Sequence, residues 1–213
     1  MAFVVTVAQQ KGGAGKSTLA ANLAVALAGA GHKVALLDTD PQASLGHWYN
    51  VRQKLGDKVA PLTFDSPAGW RTPAALDRLR RAEDFIIVDT PPHAETDTRL
   101  SIRAADLVLL PLQPSPADFW ASDATLKLAA AEGRYVAAVL NRVPPQGRLK
   151  ESIAAALVEK GVTLLGQALG NRVHFATAFL DGLGVTEAAP KSPAAAEIRA
   201  LAAEIAALGR GGG

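Results

Sequence analysis

The chain has 213 residues, 49% of them hydrophobic and 20% charged, with a formal net charge of only +2. This suits one globular domain with a substantial core, and so mild a charge does not by itself imply a nucleic-acid partner. It contains no cysteine, which excludes a disulfide framework, a cysteine-held iron–sulfur cluster and a thiolate nucleophile.

In chain order, Phe3–Ala8 is the first predicted strand: an apolar run without the basic start and long apolar core of a signal peptide. The loop Lys11-Gly12-Gly13-Ala14-Gly15-Lys16-Ser17-Thr18 follows it and opens a helix predicted over Lys16–Ala28. Glycines at 12, 13 and 15 let the backbone turn tightly and aim several N–H groups at one anion. The positive end of the helix adds to the same point. In this reading Lys16 supplies an ammonium for the β- and γ-phosphates, Ser17 a hydroxyl for Mg²⁺, and Thr18 a hold on the α-phosphate. The usual G-x-x-x-x-G-K-[ST] pattern is not met, because its first glycine would fall on Gln10; an extra lysine, Lys11, stands at the start of the loop instead.

Lys33–Leu37 is the second predicted strand, with Asp38 and Asp40 leaving its carboxyl end. Thr63–Phe64 is a weaker candidate, then a helix at Pro73–Ala82 and a strand at Phe85–Val88 that ends on Asp89. Acids at the carboxyl ends of apolar strands lie where open α/β sheets bind ligands. Asp89 reads as a Walker B acid acting on Mg²⁺ directly or through water, and Asp38 as an indirect support for the metal; all three acids also suit strand-end turns. Further strands are predicted at Leu107–Pro111 and Tyr135–Leu140, flanking a helix at Ala117–Ala131 that the stiff proline segment Leu112–Phe119 leads into. Asn141 offers both a donor and an acceptor edge to a base, and Arg142 a guanidinium that can stack on its ring.

A helix at Leu149–Glu159, a weak strand at Thr163–Leu165 and a final helix at Pro193–Leu208 complete the pattern. The final helix carries Ile198, Leu201, Ile205 and Leu208 in one apolar stripe, flanked by Glu197 and Glu204 rather than by basic residues. That stripe suits docking on the domain more than lying on a membrane. The expected class is α/β, a mostly parallel central sheet with helices on both faces, formed by one domain over 1–208 with a flexible tail at 209–213. No apolar run reaches the roughly 18 residues of a membrane span, and a cytoplasmic protein is expected.

The string K-G-G-x-G-K-S resembles the deviant Walker A phosphate loop of the ParA/MinD superfamily of P-loop NTPases. The segments Asp38–Leu45 and Leu112–Phe119, with Trp48 and Leu180-Asp181-Gly182, are most similar to its small, ParF-like plasmid-partition members. The resemblance implies an ATPase that uses ATP and Mg²⁺. In it Lys11 would reach across an ATP-bound homodimer to the partner's nucleotide, and Asp40 would orient the attacking water and assist at the metal. Asn141 would contact adenine, and Pro114 would line the nucleotide and the dimer interface. It further implies non-specific binding of nucleoid DNA, a cargo adaptor or ParB-like protein that stimulates slow hydrolysis, and no membrane partner. Candidate DNA contacts are Arg148, Lys150 and Arg172, with Arg142 and His174 nearby; the patch is sparse, since Asn171 stands where several relatives carry arginine. Alternatives are a membrane-cycling regulator of the MinD type and a nucleotide-bound scaffold that does not hydrolyse.

Overall fold

Short runs of apolar residues form one parallel sheet in the computed structural model, which describes residues 1–92, 95–146 and 148–211. Among these residues the strands are β1 (Phe3–Val7), β2 (Val34–Asp38), β3 (Thr63–Asp65), β4 (Phe85–Asp89), β5 (Leu107–Leu112), β6 (Val136–Leu140) and β7 (Thr163–Leu164). They lie in the order β3-β2-β4-β1-β5-β6-β7, each neighbouring pair parallel. From β1 the chain crosses over β4 to β2, and after β4 it crosses back to β5 on the other side of β1. This reversal opens a crevice at the carboxyl edge beside β1, the usual ligand position in such sheets.

Both faces of the sheet are covered, which is why its strands read as unbroken apolar runs. The helices are α1 (Lys16–Gly29), α2 (Ser44–Gln53), α3 (Thr72–Leu79), α4 (Glu95–Arg103), α5 (Pro116–Ala131), α6 (Leu149–Glu159), α7 (Val173–Leu180), α8 (Val185–Ala188) and α9 (Pro193–Gly211). On one face Val5, Val7, Leu36, Ile87, Leu109 and Val139 pack against α1, α2, α7, α8 and α9. On the other, alternating strand residues meet α3, α4, α5 and α6 in three smaller clusters.

Ile198, Leu201 and Ile205 of α9 are fully buried in the larger core, so the apolar stripe is spent on the domain. Burial of each is worth about 1.5–3 kcal/mol. The helix continues beyond its expected end to Gly211, and Gly209 lies so close to Phe3 that a Cβ there would be 3.1 Å from its ring. Gly209–Gly211 therefore form helix rather than loose tail, while Gly212 and Gly213 lie outside the described residues.

Periodicity alone did not point to α2 or α4. In α2 the buried stripe is Leu45, Trp48 and Arg52, so its third member carries a charge. Arg52 is 3% exposed, stacks its guanidinium over the Trp48 ring, and donates to Ala60 O, Gly182 O and both Glu187 oxygens. In α4 the buried residues are Thr98, Ser101 and Ile102. The two hydroxyls are satisfied locally, by Pro91 O and Asp97 O, so a polar stripe can sit inside.

Candidate functional site

The loop from Lys11 to Thr18 joins β1 to α1 at the crevice, and its glycines do what the backbone requires. Gly13 and Gly15 have φ of 79° and 85°, a left-handed conformation that side chains disfavour. Gly15 is the N-cap of α1. The loop forms the wall of a basin of about 320 Å³ whose other walls are Asp40, Gln42, Ser44, Pro92, Arg142 and Phe179. A second basin of about 430 Å³ adjoins it across Gly15, Thr18 and Arg142, bounded by Asn141 and by residues 169–173, 175 and 176.

Lys16 is buried at the first turn of α1. Burial lowers its pKa, and the nearby carboxylates of Asp89 and Asp40 oppose that effect. Asp89 ends β4 in register with Val7 of β1 and Asp38 of β2. It is completely buried, and neither carboxylate oxygen has a hydrogen-bond partner among the described residues. Burial pushes its pKa up to about 7, only partly offset by the Ser17 hydroxyl and the Lys16 ammonium. A buried acid with both oxygens unspent, beside a serine hydroxyl at a phosphate loop, fits a divalent cation held through Ser17 and Asp89.

Asp38 is engaged differently. Its Oδ1 accepts from Asp40 N at 3.0 Å and its Oδ2 from Gly46 N at 2.9 Å. Burial raises its pKa, and these backbone donors pull it back. The residue shapes the turn that carries Asp40 and leads into α2. Asp40 accepts from Gln42 N at 2.9 Å and lines the basin half-exposed. The same turn contains Ala43 at φ 53°. With Arg142 at φ 51°, it is one of the two non-glycine residues at positive φ among those described, and both stand beside the basin.

Lys11 lies on the rim. Its Nζ contacts Asp118 Oδ2 at 2.5 Å, and that oxygen also accepts from the Ser115 hydroxyl at 2.6 Å. Asp118 is 2% exposed and its Oδ1 has no partner among the described residues. It occupies the third position of α5, where its N–H donates to the Ser115 Oγ cap. The Ser115–Asp118 spacing signals that cap; nothing local in the sequence pairs Asp118 with Lys11, 107 positions away. Gln113 was another residue without a predicted role, and it donates to Gly13 O. Pro114 is buried between the end of β5 and α5.

Asn141 and Arg142 stand where β6 ends, Asn141 Nδ2 donating to Ala14 O and Arg142 Nη1 to Gly13 O. Arg148 and Lys150 are exposed at the start of α6. Arg172 is held by Glu197 of α9 through contacts of 2.6–3.0 Å from Nε and Nη2, and it borders the second basin. Much of its charge is thereby offset within the chain.

Residues 5–185 match the CobQ/CobB/MinD/ParA nucleotide-binding domain. The chain is 33% identical over 210 residues to the maintenance of carboxysome distribution protein A of Gloeobacter kilaueensis, covering 95% of this chain and 93% of that one. It is 34% identical over 191 residues to the protein ParA of Rhizobium radiobacter, covering 84% and 83%. A solved ATP complex of a Cyanothece McdA variant superposes with a TM-score of 0.76 at 18% identity, covering 98% of this chain and 96% of that one. The chain belongs to the CobQ/CobB/MinD/ParA nucleotide-binding family.

Proposed function

We propose that this chain is an ATP- and Mg²⁺-dependent ATPase of the ParA type that positions or partitions a cargo as a nucleotide-switched homodimer. The single observation that carries the reading is the pair of lysines in one phosphate loop. Lys16 is buried among the carboxylates at the base of the loop, and Lys11 stands outside on the rim. Similarity to a ParA, to a carboxysome-distribution protein and to a McdA solved with ATP supports it.

In this reading the loop N–H groups, Lys16 and Thr18 hold the phosphates in the smaller basin, and the base enters the larger one past Asn141. Magnesium, held through Ser17 and Asp89, would neutralise phosphate charge. Asp40 orients a water toward the terminal phosphate. No strong base is present in the loop, so positioning and charge neutralisation carry the chemistry and turnover is slow without a partner. Lys11 leaves Asp118 and completes a second subunit's site, where a desolvated ammonium acts far more strongly than in water. The dimer then binds DNA through basic residues such as Arg148 and Lys150, and a ParB-like or adaptor protein triggers hydrolysis and release.

Sedimentation with ADP, ATP and a slowly hydrolysed analogue, each with and without DNA, tests the switch. ATP and the analogue should give a dimer that retains DNA, and ADP a monomer that does not. A monomer under every condition would refute the reading. Asp40→Ala should bind ATP and accumulate as dimer, and an ATP-bound monomer in light scattering would remove Asp40 from its role. A membrane-cycling alternative needs a helix with an apolar stripe to spare, whereas Ile198, Leu201 and Ile205 of α9 are buried.

A further inference from the structure

The phosphate loop is held by side chains from the ends of two strands. Arg142 Nη1 donates to Gly13 O at 3.1 Å, and Gln113 Nε2, just beyond β5, donates to the same oxygen at 3.3 Å. Asn141 Nδ2, just beyond β6, donates to Ala14 O at 2.9 Å. A peptide group is planar and trans, so its C=O and the next N–H point in opposite directions. Holding Gly13 O and Ala14 O toward these side chains therefore turns the N–H groups of Ala14 and Gly15 away from them. Inward N–H groups are what an anion-binding loop needs.

Two independent features show that the contact is built in. Gly15 leaves room for it, because a Cβ there would lie 2.9 Å from Asn141 Nδ2 and 3.7 Å from the Arg142 guanidinium. Arg142 adopts φ 51°, a conformation unfavourable for a residue with a side chain, and its N–H is secured by Asn141 Oδ1 at 3.0 Å. Backbone strain at Arg142 is thus tolerated where its guanidinium meets the loop.

We propose that Gln113, Asn141 and Arg142 are positioning residues that hold the 13–14 and 14–15 peptide groups in their anion-binding orientation before a ligand arrives, and that Arg142 serves the phosphate end rather than the base. The inference rests on the reading of this loop as the nucleotide site.

Calorimetry with Mg-ATP and with Mg-tripolyphosphate, which has no base, tests it on Arg142→Gly. Both affinities should fall in parallel by about tenfold, the loss of one charge-assisted hydrogen bond. The unfolding midpoint of the ligand-free variant should not fall, because glycine relieves the left-handed backbone. A side chain needed only for folding would lower stability and affinity together, so a loss of affinity without a loss of stability is diagnostic. Hydrogen exchange at the amides of residues 13–16 should quicken in the variant. Arg142→Lys should recover part of both affinities, and Gln113→Ala should lower both by about threefold, the smaller loss expected of a neutral donor. Weakened Mg-ATP with unchanged Mg-tripolyphosphate would assign Arg142 to the base and overturn the proposal, as would two unchanged affinities. Wild-type protein that binds neither ligand would instead overturn the nucleotide reading on which it stands.

Discussion

Lys16 and Lys11 stand five residues apart in one loop, yet the fold treats them in opposite ways. Lys16 is 7% exposed at the start of α1, with Asp89 and Asp40 close enough to raise its proton affinity against burial. Lys11 keeps 38% of its side-chain surface and is bound to Asp118, a residue of another helix. The inner lysine belongs to a site that a single chain can build. The outer one is held by a contact that must be given up before it can act elsewhere. In the proposed reading, one loop thus combines a phosphate cradle with a charge in reserve.

The largest effect should come from the inner half. Lys16→Ala removes the ammonium that the proposed function places at the phosphates and should weaken Mg-ATP binding at least 100-fold in calorimetry; an unchanged affinity would break the comparison outright. The outer lysine should behave otherwise. Lys11→Ala should keep the monomer's ATP affinity within about threefold but abolish the ATP-dependent dimer in sedimentation. A dimer that persists would show the two lysines doing one job.

Asp89 gives the next test through pH. Its pKa in the folded chain, about 7, lies above the ordinary carboxylate value of 3.8, so the native state holds this proton more tightly than the unfolded state does. Its contribution to ligand-free stability is full at low pH and is lost as pH rises from about 4 through about 7, by up to about 4 kcal/mol. Denaturant unfolding at pH 5 and pH 8 should show that fall, and Asp89→Asn should flatten it. Mg-ATP affinity should move the other way, rising from pH 6 to pH 8 as the carboxylate becomes free for the metal; an equal slope in Asp89→Asn would remove Asp89 from the metal's surroundings.

A smaller effect is expected at the latch of the outer lysine. Asp118→Asn keeps an oxygen for the Ser115 hydroxyl and removes the charge that holds Lys11. The ATP-dependent dimer should then form at up to roughly 30-fold lower concentration, because each of the two protomers releases a partly exposed ion pair of about 1 kcal/mol. Weaker dimerisation would mean that Asp118 serves the assembled state instead. The smallest change concerns DNA: Arg148→Ala and Lys150→Ala should each reduce the salt dependence of retention by about one phosphate contact. Arg172→Ala should do less, since Glu197 already holds its guanidinium.

The sheet and the tight glycine turn of the 11–18 loop were legible because their signals are local. Unbroken apolar runs such as Phe85–Val88 mark strands buried on both sides, and K-G-G-A-G-K-S states its own backbone and charge requirements. Helices α2 and α4 were not legible: Arg52 in one and Thr98 and Ser101 in the other occupy the buried stripe that apolar residues usually fill. Their burial becomes favourable only with partners such as Glu187, distant in the chain, or with backbone acceptors exposed by a neighbouring turn. Asp38 shows the same limit within the site. Its place at a strand end is plain in the sequence, but that its two oxygens accept from backbone donors of the 40–46 turn is not.

By itself the sequence determined the strand pattern, the conformations demanded of Gly13 and Gly15, and the presence of two lysines in one loop, because each depends on residues within a few positions of one another. Tertiary structure alone decided what those lysines meet. Asp89 and Asp40 reach Lys16 because β4, β1 and β2 end at one edge of a parallel sheet. Asp118 reaches Lys11, and Gln113, Asn141 and Arg142 reach the loop carbonyls, because β5 and β6 end at the same edge. A charge or a carbonyl has no fixed partner until the sheet order brings distant chain segments within a few ångströms.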